Sequence, residues 1–288
     1  MSFIIASIQL NSQADIDQNL DIIRTAVAAA TDNGAKLVTL PENACLMGQQ
    51  APLAKRFDEL CEFFSTLAKD SGIHLIAGTL PCPTLPDGSL VPNGKFRQTS
   101  LLFDDQGKQI ARYDKIHLFR ATVGDAVGSY DEGRTFDAGN ELVVAPCVID
   151  GVAVGIGLMI CFDVRFPAMA QRLRTLGADI ISVPAAFTHT TGKAHWQTLL
   201  QARALDSQCF VIGSTQGGIH TFTHKDKIHT RQTWGHSMLV NATGEIVANS
   251  DSTECPPSGF NIVYGVFDKD KQEQWRQYLP IFDCAVLS

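Results

Sequence analysis

The sequence predicts an α/β protein whose sheets mix parallel and antiparallel strands. Three observations carry that prediction. Short apolar runs alternate with longer segments whose apolar residues recur at helical spacing, the pattern of strand–helix units. Two segments read instead as hairpins, which purely parallel sheets do not contain. No helical-array or propeller period repeats along the chain, and no Pro/Ser-rich linker or charge block marks a boundary, so residues 1–288 are expected to form one domain.

The elements follow in order. Residues 3–10 are apolar and read as a strand. Residues 15–31 carry Ile16, Leu20, Ile23, Val27 and Ala30 at helical spacing, and Asn33-Gly34 supplies the stop. A second strand, 36–40, ends at Pro41-Glu42. Residues 57–69 form a helix with Leu60, Phe63, Phe64 and Leu67 on one side, and 73–80 a third strand. Residues 99–113 read as a hairpin turning at Asp104-Asp105-Gln106-Gly107. Residues 152–160 are a strand with Gly155 and Gly157 inside it, 167–176 a helix, 179–183 a strand, 194–207 a helix and 209–213 extended chain. Residues 235–248 form a second hairpin around Thr243-Gly244, 260–267 a late strand and 269–278 a last helix.

Composition narrows the function. With 45% hydrophobic and 18% charged residues, the chain has the make-up of a soluble globular protein able to bury a large core. Its net charge of −7 and scattered basic residues exclude the basic stripe of a nucleic-acid binder. No apolar run approaches a membrane span, and residues 1–6 lack the charged and apolar regions of a signal peptide. None of the eight cysteines forms a C-x-x-C pair, which weakens a zinc or dithiol reading. Without a secretory segment they are expected to be reduced thiols in the cytoplasm.

Three positions carry candidate chemistry. Cys161 follows the apolar strand 152–160 and precedes the helix from Pro167, and in open α/β sheets ligands sit at the carboxyl ends of strands. Backbone N–H groups there lower a thiol pKa and hold an oxyanion. The alternative is a small buried hydrophobe, the usual fate of a free cysteine. Glu42 ends the strand 36–40, where partial desolvation raises a carboxyl toward the range of a general base; a solvated loop acid or helix cap is the alternative. Lys115 lies among aromatic and apolar neighbours in Tyr113-Asp114-Lys115-Ile116-His117-Leu118-Phe119. It is either a buried cation that stabilises negative charge or a snorkelling surface lysine.

The wording around these residues is more specific than any one of them. Leu40-Pro41-Glu42-Asn43, the segment Tyr113 to Phe119 just quoted, and Cys161-Phe162-Asp163-Val164-Arg165-Phe166-Pro167 resemble, in order and spacing, the Glu-Lys-Cys signatures of the nitrilase superfamily of carbon–nitrogen hydrolases. The resemblance continues through Pro184-Ala185-Ala186-Phe187, Thr191-Gly192-Lys193-Ala194-His195-Trp196, Gln201-Ala202-Arg203-Ala204-Leu205 and Trp234-Gly235-His236-Ser237. It implies a four-layer α-β-β-α sandwich, a homodimer or higher homo-oligomer, and no cofactor or metal. Cys161 would be the nucleophile and Glu42 the general base. Lys115, with the backbone N–H after Cys161, would stabilise the oxyanion. The family's second glutamate would be Glu132, with Asp131 a close rival.

Cys161-Phe162-Asp163 departs from the Cys-Trp-Glu of true nitrilases and resembles the branch of small ω-amide hydrolases, deaminated glutathione amidase somewhat more than ω-amidase. The expected substrate is then a carboxylate-bearing amide of the deaminated glutathione type, with α-ketoglutaramate-type amides as the alternative. Cationic groups should line the mouth of such a site. Arg165 is the candidate, a structural ion pair with Asp163 or another acid being the other reading. Phe187 and Trp196 are candidates for the pocket wall, or else core or interface aromatics.

Three segments depart from the family pattern: Arg97-Gln98-Thr99-Ser100, the polar, His-rich stretch 217–231, and a C-terminus that lacks basic residues. His220, His224 and His229 fit no zinc template, so 217–231 is expected to be a solvated loop, one that could reshape the pocket mouth. No serine-hydrolase or nucleotide-binding motif is present. Two other classes remain open: an inactive ligand- or partner-binding member, opposed by the intact Glu42, Lys115 and Cys161, and a thiol redox protein, opposed by the absence of a resolving cysteine near Cys161 in sequence.

Overall fold

The computed structural model describes residues 1–122, 128–224, 226–256 and 258–286, apart from the side chain of His224. In chain order its elements are β1 (Ser2–Leu10), α1 (Ile16–Asp32), β2 (Ala35–Thr39), α2 (Ala51–Ala54), α3 (Phe57–Ser71), β3 (His74–Ile76), β4 (Leu80–Cys82), β5 (Arg97–Phe103), β6 (Gln109–Asp114), β7 (Arg120–Thr122), β8 (Ser129–Asp131), β9 (Val144–Ile149), β10 (Val152–Leu158), α4 (Pro167–Thr175), β11 (Ile180–Ala185), α5 (His189–Ser207), β12 (Phe210–Thr215), β13 (Gly217–His224), β14 (Lys227–Trp234), β15 (Met238–Val240), β16 (Ile246–Asn249), β17 (Phe260–Asp268) and α6 (Lys269–Tyr278). Two sheets dominate. The first runs β17-β1-β2-β3-β5-β4 with β6 on β5, and the second β16-β15-β12-β11-β10-β9. Each has a parallel centre and antiparallel flanks: β1 with β2 and β11 with β12 are parallel, β1 with β17 and β9 with β10 antiparallel.

The period-two pattern of β1 explains the layering. Phe3 and Ile5 join the core formed with the second sheet, whereas Ala6, Ile8 and Leu10 join the core under α1 and α3. On α1, Leu20, Ile23, Val27 and Ala30 pack on the outer face of the first sheet. Each large apolar side chain so buried stabilises the fold by about 1.5–3 kcal/mol. Met169 and Leu173 of α4 with Trp196 and Leu200 of α5 cover the second sheet. The order is therefore helix, sheet, sheet, helix, the four layers expected.

Several elements differ from the sequence reading. The strand expected over 73–80 is two, β3 and β4, because Gly78 turns the chain at φ 67° against the Pro41 carbonyl. A Cβ there would lie 2.1 Å from Pro41 O, so only glycine lets this turn press on the segment that carries Glu42. Helix α5 starts at His189, where the Thr188 side chain caps it by accepting from Thr191 N–H.

The largest correction concerns 217–231, expected as a solvated loop. It is most of an antiparallel hairpin, β13–β14, paired from Gly217↔Trp234 to His224↔Lys227. Lys225 and the side chain of His224 lie outside the described residues. His220 is fully buried, with Nδ1 2.7 Å from Ser12 O and Nε2 2.7 Å from Thr233 Oγ1. Both ring nitrogens are thus occupied within the protein, and burial holds the His220 pKa down at about 4. The unfolded chain takes up that proton below about pH 6.5, the folded chain only below about pH 4, so stability falls as pH drops through that window. The loss from His220 is about 3 kcal/mol. Urea midpoints at pH 7 and pH 4.5 should show a smaller acid loss in His220→Gln than in the wild type, and equal losses would contradict this origin.

Candidate active site

The site is assembled where β2, β6 and β10 end. β2 runs out at Thr39, and Leu40 donates its N–H to Ile76 O before the chain reaches Pro41-Glu42. β6 ends at Asp114, and Lys115 N–H donates to Gln98 O. After β10 the chain forms a 3-10 turn, Cys161–Arg165, that leads into α4. Cys161 opens the turn in the left-handed region, φ 48°, an arrangement that costs a non-glycine residue energy and collects at functional positions.

Asp163 holds this turn against the lysine segment. Fully buried, it accepts from Ile160 N–H (2.9 Å), Tyr113 Oη (2.7 Å) and His117 N–H (3.0 Å), and His117 Nδ1 lies 2.8 Å from its Oδ1. The His117 ring stacks on Phe166 at 3.6 Å. One carboxylate therefore ties the backbone just before Cys161 to residues on either side of Lys115.

The four residues expected at the centre converge. Lys115 Nζ donates to Glu42 Oε1 at 2.9 Å and lies 2.9 Å from Glu132 Oε2. Lys115 and Glu42 are almost wholly buried, and the same holds for Cys161 at 8% exposure. Glu132 Oε2 also accepts from Phe119 N–H at 2.7 Å. Asp131 caps the short turn after β8, accepting from Gly133 N–H, and stands 3.6 Å from Arg134. Of the two acids left open by the sequence, Glu132 is the one on the lysine.

The electrostatics follow from burial and pairing. Burial alone would raise the Glu42 carboxyl, but the Lys115 charge and hydrogen bond hold it below the usual carboxylate value, with smaller help from Cys161 and Arg231. Burial raises Glu132 above that value against the pull of Lys115, with Glu42 adding to the rise. Burial opposes the charge on Lys115, yet Glu132 and Glu42 together hold its pKa well above the ordinary lysine value. Burial and the Glu42 charge push the Cys161 thiol well above the ordinary cysteine value. The resting site is a thiol beside an ionised carboxylate and a fixed ammonium.

These groups border a narrow cleft with about 350 Å3 of empty space, part of it open to solvent, lined among others by Glu42, Glu132, Cys161, Arg165, Phe187 and Arg231. Arg165 forms no ion pair with Asp163. Its guanidinium lies 5.0 Å from the Phe187 ring centre and 5.8 Å from that of Phe162, with Nη1 3.3 Å from His195 Nδ1. Phe187 lines the cleft, but Trp196 does not. It is fully buried behind Phe187, ring centres 4.9 Å apart, and donates from Nε1 to His236 O at 2.9 Å. Gly213 makes room for it, since a Cβ there would sit 2.6 Å from the indole. Trp196 is thus a core aromatic held by the second sheet.

Sequence reasoning missed Arg231. It stands on β14 and reaches the cleft only because the hairpin folds over the site. Its alternation with buried Thr233 was the one available signal, hidden by the polar character of the strand. Gln98, in a segment that departs from the family pattern, donates to Asn43 Oδ1 (3.2 Å) and Thr79 Oγ1 (3.0 Å), bracing the residue after Glu42.

Known proteins resemble the chain along most of its length. The carbon–nitrogen hydrolase family model matches residues 4–277. The deaminated glutathione amidase of Yersinia enterocolitica is 37% identical over 251 residues, covering 85% of this chain and 82% of its own. The human ω-amidase NIT2 is 32% identical over 289 residues, covering 98% and 94%. Among solved structures, the C. elegans NitFhit protein superposes with a TM-score of 0.81 at 32% identity over 99% of this chain, which spans 65% of that longer protein.

Proposed function

We propose that this chain, which belongs to the carbon–nitrogen hydrolase family, hydrolyses the C–N bond of a small carboxylate-bearing amide through a thioester on Cys161. Glu42 takes the Cys161 proton, and the sulfur attacks the amide carbonyl. Lys115 and the backbone N–H after Cys161 receive the developing oxyanion, where a fixed charge in a water-poor site lowers the barrier most. Glu42 then passes its proton to the leaving nitrogen, the C–N bond breaks and a thioester remains. Water enters, Glu42 accepts its proton, and the acid departs. Glu132 holds Lys115 in place. Every proton has a protein group to move to, so the cycle needs no metal or cofactor.

The observation that carries this reading is the buried cluster in which Lys115 bridges Glu42 and Glu132 beside Cys161. Two features favour deaminated glutathione as the amide: similarity to deaminated glutathione amidase, and the guanidinium groups of Arg165 and Arg231 bordering the cleft. The second reading, an ω-amidase acting on α-ketoglutaramate, is favoured by the similarity to human ω-amidase NIT2. We further propose a cytoplasmic homodimer or higher homo-oligomer, in keeping with eight cysteines that are all free and with exposed Leu176, Leu205, Tyr278 and Leu279 near the ends of α4, α5 and α6.

The test is release of ammonia or amine from deaminated glutathione, α-ketoglutaramate, a simple nitrile and an N-carbamoyl amino acid. The kcat/KM for deaminated glutathione should exceed those for the nitrile and the carbamoyl compound by about 100-fold or more. Preference for α-ketoglutaramate would move the assignment to the second reading. Turnover of none of the four would refute the substrate class.

A further inference from the structure

The residue after Glu42 stands in the left-handed region, with Asn43 at φ 58°. Asparagine adopts that conformation more readily than most side chains, yet it still costs energy and collects at functional positions. Glu42 and Asn43 are neighbours in the chain, and both border the cleft. Buried partners sustain the turn. Asn43 N–H donates to Thr79 Oγ1 at 2.9 Å, Asn43 O accepts from Leu46 N–H at 3.2 Å, and Asn43 Oδ1 accepts from Gln98 Nε2 at 3.2 Å. Gln98 and Thr79 are each 1% exposed and are themselves joined, Gln98 Nε2 donating to Thr79 Oγ1 at 3.0 Å. The brace comes from Arg97-Gln98-Thr99-Ser100, a segment in which this chain departs from the family pattern.

One polar group of Asn43 is not spent on this brace. Its Nδ2 donates to none of the described residues, and Asn43 is half-buried where Gln98 and Thr79 are buried. With Oδ1 fixed on Gln98, the amide has its inner end in the core and its NH2 end on the cleft. The other donors at the centre already have work in the reaction. Lys115 and the backbone N–H after Cys161 receive the oxyanion. Asn43 therefore offers a neutral donor, beside the base, for an oxygen that takes no part in the bond changes.

We propose that Asn43 is a substrate-binding residue whose Nδ2 donates to an oxygen of the substrate other than the reacting carbonyl, and that Gln98 is the positioning residue that keeps this amide turned to the cleft. The inference rests on the amidase reading above and deepens it: the favoured amides carry a further hydrogen-bond acceptor close to the scissile bond. The charge on that oxygen does not change as the C–N bond breaks. Its hydrogen bond is then as strong in the bound substrate as in the transition state, so it lowers KM and leaves kcat alone.

Asn43→Gly tests this, since glycine keeps the left-handed turn without strain and removes only the amide. With the preferred substrate of deaminated glutathione and α-ketoglutaramate, KM should rise about 10-fold, the range of one neutral hydrogen bond, and kcat should stay within about 2-fold of the wild type. Methyl methanethiolsulfonate reports on the base separately. It is a small thiol reagent without an amide, so its rate of reaction at Cys161, read on the peptide that holds Cys161, should be unchanged in Asn43→Gly. Gln98→Leu, which frees the amide without removing it, should raise KM by a smaller factor, and Asn43→Gly/Gln98→Leu should match Asn43→Gly. An unchanged KM in Asn43→Gly would overturn the assignment. So would a loss in kcat accompanied by slower modification of Cys161, because Asn43 would then act by positioning Glu42. A double variant weaker than Asn43→Gly would overturn the role of Gln98. Each of these results leaves the amidase reading standing, whereas a wild type that turns over no amide would overturn both.

Discussion

Replacing Cys161 with alanine is expected to lower amide turnover by about 10^5-fold or more while leaving the fold intact. The magnitude is that of removing a covalent nucleophile whose partners cannot act without it. Glu42 remains, but no other group in the cluster can form the thioester. Cys161 is small and buried and lies on a turn held chiefly by Asp163, not by its own sulfur, so the unfolding free energy from urea melts should change by less than about 1 kcal/mol. Turnover retained in Cys161→Ala would refute the nucleophile, and turnover lost together with the fold would show that the sulfur was needed for packing.

Lys115→Met is expected to have the second largest effect, and on two quantities at once. The ammonium is the cation between Glu42 and Glu132, 2.9 Å from each. Without it two buried carboxyl groups face each other, and removing one partner of a buried ion pair costs about 3–5 kcal/mol. Part of that loss is relieved by protonation of Glu132, whose pKa burial already raises. Turnover should fall by about 10^3-fold with little change in KM, because the charge acts on the oxyanion and not on the bound substrate. The acid limb of the pH profile separates the two roles. In the wild type Glu42 is held below the usual carboxylate value, so activity persists into that range as pH falls; in Lys115→Met the limb should move upward. Lys115→Met/Glu132→Gln should recover stability but not turnover. Recovery of both would make Lys115 a structural cation alone.

The layers were legible because β1 and α1 carry opposite periodicities in adjacent segments: two in the strand, 3.6 in the helix. Those periods place Ile5 between the sheets and Ile23 on the sheet-facing side of α1 without reference to any distant residue. The cluster of Glu42, Lys115, Glu132 and Cys161 was legible only through the wording of three separated motifs, since no local rule brings strand ends together. What stayed hidden depends on long-range packing. The strand β13 reads as loop because His220 and Thr221 are polar, and only the buried partners Ser12 and Thr233 make a core residue of His220. Arg231 enters the cleft through the same hairpin. The motif left Trp196 open between pocket wall and core or interface aromatic, and the space left by Gly213 draws it into the core.

The central claim, a thioester on Cys161, is tested most directly by acid-quenching the enzyme during turnover of deaminated glutathione and weighing the peptide that holds Cys161. The account predicts that this peptide gains the mass of the acyl group in place of one hydrogen, that alkaline hydroxylamine removes the gain, and that Glu42 and Lys115 peptides stay unmodified. An acyl group found on any other residue, or amide hydrolysis in which added hydroxylamine diverts no product to the hydroxamate and no adduct forms on Cys161, would contradict it.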